Sequence, residues 1–312
     1  MPPDTRTSDA TSFEQLRPAL FGLSYRMLGE AGDAEDIVQD AYLRYARTRE
    51  DGVQIDSPRA YLTAIVTRLA IDHLRSARVR REQYSGLWLP EPLLSDGAFV
   101  DGPHTLDAES DSLSMAFLLL LERLNPVERA VFLLHDVFDY SHTEVAGIIG
   151  KTEANCRRIA SRARKAMESR RSRFVGTPDQ RERLASRFFA AVRVGDVDSL
   201  IGMLASDVVV YGDGGGNAPQ WSKPIVGASN VARLLAGLGK RLGELGGTFE
   251  LREVNGEPGA VTRDRDGGVI SVFVLELSVQ GRVQTLRSVI NPDKLRHLGP
   301  VADVWALTRE RA

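Results

Sequence analysis

Cysteine is almost missing from this sequence: Cys156 stands alone in 312 residues. No internal disulfide framework is possible, and such sparing use fits a reducing compartment. Net charge is nearly absent too, at −2, so any attraction to nucleic acid must come from local clusters. Long apolar runs are lacking; "MAFLLLL" is far too short to span a bilayer. The first residues, "MPPDTRTSDATSFEQ", carry no basic patch followed by an apolar core, so no secretion signal is expected and the chain is placed in the cytoplasm, with no membrane partner. Histidine is scarce: of His73, His104, His135, His142 and His297, only the last lies beyond residue 177, and no carboxylate can be paired with it from sequence. No cofactor or metal site is expected.

What is present falls into three blocks, a length suited to two or three domains. Up to about Gln83 the chain reads as helical. Phe13, Leu16, Leu20, Leu23 and Met27 share one helix face. Asp33 is positioned to cap a second helix with Ile37, Val38, Ala41, Tyr42 and Tyr45 inside. Ser57-Pro58 opens a third with Leu62, Ile65, Val66 and Leu69 inward. Residues 85–112 hold prolines, glycines and six acidic residues with no lysine or arginine, and read as a linker. Helices resume over 113–172. From Thr177-Pro178 the pattern changes to two helices, strands at 208–211, 248–254, 269–279 and 282–290, and a further helix among them. That is an α+β domain with a curved, mostly antiparallel sheet.

The most informative stretch is "SHTEVAGIIGKTEANCRRIASRARKAM". Ser141 and Glu144 form a capping box, Gly150 suits the position after a helix end, and Thr152 can cap a second helix three residues on. That order is a helix-turn-helix. Cys156, Ile159, Ala160 and Ala163 face inward, whereas Asn155, Arg157, Arg158, Ser161, Arg162 and Arg164 face out. Between residues 151 and 173 nine basic residues stand against two acidic ones, a face suited to phosphate and base-edge contacts. An earlier helix ends with Arg68, Arg75, Arg78, Arg80 and Arg81, and its Tyr61 is either core or a stacking platform for an unpaired base. Before it, Glu30, Asp33, Glu35, Asp36 and Asp40 cluster with no histidine near, which favours an interaction face over a metal site.

"GDAEDIVQDAYLR" with "SPRAYLTAIVTRLAIDHLR", and later the helix-turn-helix, resemble the extracytoplasmic-function sigma factors. The likeness covers roughly residues 13–173. It implies a multidomain chain: a helical sigma-2 domain (1–84), an acidic linker (85–112), a helix-turn-helix sigma-4 domain (113–174) and a regulatory domain (177–312). It implies that Asp33, Glu35, Asp36, Gln39 and Asp40 dock on core RNA polymerase, whose clamp and flap regions are the expected partners. It further implies that Tyr61, Arg68, Arg75, Arg78, Arg80 and Arg81 meet the −10 element of promoter DNA. Thr152, Asn155, Arg157, Arg158, Ser161, Arg162 and Arg164 would meet the −35 element.

The third block resembles the SnoaL-like members of the cone-shaped nuclear-transport-factor-like fold, which a branch of these sigma factors carries as a fused extension. That branch is marked by WLPEP in the linker and DGGGK in the extension. Trp88, Leu89, Pro90, Glu91 and Pro92 are present in full; Asp213, Gly214, Gly215 and Gly216 follow the pattern, but Asn217 replaces the lysine. The glycines do not make a phosphate loop, because Pro219 and Trp221 follow instead of a lysine and a helix. The resemblance implies that the extension regulates the sigma factor directly. The extension is expected to fold back onto the sigma domains, with the two motifs forming part of that intramolecular contact. With no partner for His297, the chain is not expected to be an enzyme. Two other readings remain: a DNA-binding regulator whose SnoaL-like domain senses a small ligand, and a SnoaL-like cyclase or isomerase fused to a DNA-binding module.

Overall fold

The computed structural model describes residues 5–82, 84, 86–95, 112–168, 177–221 and 223–309, with the backbone alone at 5–12, 77–82 and 178. Two compact units emerge. One comprises Met1–Glu82, Asp96–Leu113 and Phe117–Arg170; the other takes Gln83–Ser95 together with Ser114–Ala116 and Arg171–Ala312.

The first unit is helical. Helices α1 (Thr5–Leu28), α2 (Ala31–Glu50) and α3 (Pro58–Glu82) pack on one another, burying Leu20, Met27, Ile37, Val38, Tyr45, Leu62 and Val66. Asp33 is not the cap of α2: Glu30 holds that position without a side-chain cap bond. Asp33 sits in the first turn, where its charge complements the helix dipole, and pairs with His73 at 2.9 Å. Helix α4 (Met115–Leu121) leads to α5 (Pro126–Phe132), which has an Asn125–Glu128 capping box and continues as a π-turn over Leu133–Val137. In α6 (His142–Ile149) the Ser141–Glu144 box forms as expected and Gly150 closes the helix at φ 68°. In α7 (Glu153–Met167) Thr152 accepts from the Asn155 amide, and Cys156, Ile159, Ala160, Ala163 and Met167 are buried. This stripe holds α7 against α5 and α6.

The second unit packs helices α8 (Pro178–Val194), α9 (Val197–Met203) and α10 (Ala228–Glu244) against a sheet. Its strands are β1 (Leu204–Asp213), β2 (Ile225–Val226), β3 (Thr248–Val254), β4 (Glu257–Arg263), β5 (Val269–Leu277) and β6 (Val283–Val289), and α11 (Val304–Arg309) follows them. The order is β2-β1-β6-β5-β4-β3; β1 and β6 run parallel and the other pairs antiparallel. Phe188, Leu200, Val208, Val210, Val231, Leu235, Leu275 and Leu286 form the core. Strand β4 escapes the alternation pattern because it opens on Glu-Pro-Gly, a turn-like triplet. The signal for it lies just before: Asn255 and Gly256 both adopt positive φ, 54° and 73°, and Val254 pairs with Glu257. That is the Asn-Gly two-residue hairpin turn.

Candidate functional site

The acidic stretch of α2 divides by side. Asp36, Gln39 and Asp40 are exposed, whereas Glu35 is held by Arg17 at 2.7 Å and Asp33 by His73. On α3, the Tyr61 hydroxyl lies 2.9 Å from Thr48 Oγ1 and its ring stands 6.3 Å from that of Tyr45, so it is half-buried. Arg68 is exposed and donates to the Ile148 carbonyl at the end of α6, at 3.3 Å. Arg75 pairs with Asp72 on the surface. The side chains of Arg78, Arg80 and Arg81 lie outside the described residues.

Helix α7 presents Arg157, Arg158, Ser161, Arg162 and Arg164 to solvent, with Thr152 exposed and Asn155 half-buried at its start. Part of this charge is engaged at home: Arg157 pairs with Glu153, Arg162 with Glu128 at 3.4 Å and Arg164 with Asp136 at 2.5 Å. Exposed pairs of this kind are worth little and exchange readily for phosphate. Near the turn, the rings of His135 and His142 lie 3.9 Å apart. Burial, followed by the neighbouring His135, Arg157 and Arg164, lowers the His142 pKa and favours its neutral form.

The motif pair WLPEP and DGGG comes together inside the second unit. Asp213, at the end of β1, is fully buried. Its carboxylate accepts from the Tyr84 hydroxyl at 2.5 Å, the Leu89 amide at 2.8 Å, the Gly215 amide at 3.1 Å and Lys294 Nζ at 2.7 Å. Lys294, itself buried, also donates to the Leu89 carbonyl at 2.5 Å and lies 4.5 Å from the Trp88 ring and 5.0 Å from that of Tyr84. A buried carboxylate and ammonium are tolerated together because each is paired and hydrogen-bonded. Asn291 holds the Tyr84 hydroxyl at 2.8 Å. Gly215, at φ 60°, passes so close to Asn291 that a Cβ would overlap the amide, which is why glycine is needed there.

The same segment is gripped further along. His297 Nδ1 lies 2.8 Å from Glu91 Oε1, and its Nε2 2.8 Å from the Pro92 carbonyl. Leu93 donates to Asn255 Oδ1, and Leu94 bridges antiparallel to Val254 on β3. Neither the role of Lys294 nor the pairing of His297 with Glu91 is legible in the sequence, since Lys294 reaches Asp213 across 81 positions and Leu89 across 205, and His297 reaches the Pro92 carbonyl beside Glu91 across 205. Asn217, in the lysine position of the motif, donates to Asp293 and accepts from Trp305 through its carbonyl.

Residues 12–80 match the model of Sigma-70 region 2, and residues 114–167 that of Sigma-70 region 4. The chain is 39% identical over 293 residues to the ECF RNA polymerase sigma factor SigJ of Mycobacterium tuberculosis, spanning 92% of this chain and 93% of the relative. It is an extracytoplasmic-function sigma factor. The crystal structure of M. tuberculosis SigJ superposes with a TM-score of 0.70 at 35% identity, over 92% of this sigma factor and 98% of that chain. A second M. tuberculosis relative, the probable sigma factor SigI, is 34% identical over 60% of this chain and 64% of its own length. The match to SigJ supports two helical sigma domains followed by an α+β domain with a mixed sheet. This sigma factor directs promoter-specific initiation by RNA polymerase. Among the described residues no helix is long and apolar enough to cross a membrane.

Proposed function

We propose that this sigma factor binds core polymerase through Asp36, Gln39 and Asp40 of α2, aided by Asp33 and Glu35. Tyr61 and the basic side of α3 then meet the −10 element, and the exposed arginines of α7 with Thr152, Asn155 and Ser161 meet the −35 element. Exposure supports the first and third assignments. The work is cytoplasmic, where polymerase and promoters are.

The C-terminal unit acts as a built-in regulator. The observation that carries this reading is the Asp213–Lys294 grip on Leu89, which captures the chain between the two sigma domains. A partner that needs that segment elsewhere, such as polymerase threading a sigma linker, must first break the grip. Catalysis finds no support in His297, which is committed to Glu91 and the Pro92 carbonyl. The test is run-off transcription with core polymerase, comparing the full chain, a truncation before Thr177, and Asp213→Asn. Both changes shift promoter output if the unit regulates. Identical output from all three on every core-dependent template refutes it.

A further inference from the structure

The second unit holds a half-open cavity of about 120 Å³ between α8, α10 and the inner face of the sheet. Its walls are largely apolar, with the rings of Phe189, Phe249, Phe273 and Trp221 among them. Phe189 lies 5.7 Å from Phe249 and 6.5 Å from Phe273, centroid to centroid. A closed apolar cavity of roughly 150 Å³ holds benzene; this one is smaller but open on one side, so it suits a single ring whose substituent reaches into the mouth. One polar group is left over: the Trp221 indole N–H is buried and has no acceptor among the described residues. A buried donor without an acceptor is costly and rare.

We propose that the cavity binds a small neutral aromatic molecule, one ring carrying a single oxygen that accepts from Trp221 Nε1. Such a ligand fills the apolar volume and supplies the missing acceptor. The cavity is mechanically joined to the linker grip. Gln220, in its wall, packs so tightly on Gly212 and Gly214 that a Cβ at either would overlap it. Ser288 and Ile290, also in the wall, pair respectively with Gly212 and with the Asp213 carbonyl. Occupancy therefore braces the turn that carries Asp213, and the ligand acts on the hold over Leu89. This coupling deepens the regulatory reading above, whereas binding itself is measured without polymerase and can fail or succeed independently of transcription.

The probes are acetophenone and α-methylstyrene, which share a shape but differ in the accepting oxygen. The full chain, labelled with ¹⁵N, is titrated and the indole N–H signals of its three tryptophans are followed by NMR, with Trp221→Phe assigning the relevant one. Acetophenone should shift the Trp221 signal downfield in a saturable way and α-methylstyrene should not. In Trp221→Phe, whose ring remains, the preference for acetophenone over α-methylstyrene should fall about three- to tenfold, the worth of one hydrogen bond. Leu238→Phe, which fills the cavity, should abolish binding of both. Hydrogen exchange at the Leu89 amide should slow when acetophenone is bound. The absence of any saturable shift, or equal shifts from the two probes, overturns the site; unchanged Leu89 exchange at saturation overturns the coupling.

Discussion

Lys294 carries more of this molecule's organisation than its place in an unremarked Asn-Pro-Asp-Lys turn suggests. It neutralises Asp213, holds the Leu89 carbonyl and lies near two aromatic rings, while only 6% exposed. Removing the ammonium by Lys294→Met leaves the carboxylate buried and uncompensated, which costs about 3–5 kcal/mol. Chemical denaturation of the second unit should show a loss of that size. The double variant Asp213→Asn/Lys294→Met should recover part of it, because no charge is stranded. At this scale the WLPEP and DGGG residues were legible as a pair from their resemblance to one branch of the family. Lys294 was not, since a lysine in a polar turn looks like an ordinary surface cation until the fold buries it.

Among the elements, capping residues did most to make the helices readable. Ser141, Thr152 and Thr177 each cap the helix that follows, because an orphan amide has few local partners and a side-chain oxygen is the nearest. Asp33 misled for the same reason: an acid near a helix start serves the dipole equally well from the first turn. How closely elements approach is a different matter. Gly239 of α10 lies against the Val192 carbonyl of α8, where a Cβ would collide with backbone. Gly239→Ala must force these helices apart, at about 1–3 kcal/mol for overpacking. A lowered thermal midpoint for the C-terminal unit, with Gly237→Ala at an open position as the control, checks this.

For the molecule as a whole, the two sigma parts belong to one compact unit in this state. Tyr140 bonds Thr63 at 3.0 Å and stands over Arg59, and Arg68 reaches Ile148. If α3 meets the −10 element and α7 the −35 element, as proposed above, this contact between α3 and the start of the helix-turn-helix must open on a promoter, where the two elements lie many base pairs apart. Dyes at exposed Gln54 and Glu168, on a chain with Cys156→Ala, should lose energy transfer when core polymerase is added. Tyr140→Ala should lower the transfer before polymerase arrives. An unchanged signal with saturating polymerase would show that this unit stays closed.

The sequence by itself determined the helical blocks, the helix-turn-helix, the basic face of α7 and the family, because these rest on local periodicity, capping and charge that neighbours in the chain supply. Only the tertiary structure decided that α7's arginines are partly ion-paired, that His297 meets Glu91, and that a linker segment is built into the C-terminal unit. Those outcomes depend on which distant groups burial brings together, and no local pattern records that choice. The glycines of DGGG illustrate both halves: their number signals a tight backbone, but only the fold shows that Asn291 and Gln220 are what they make room for.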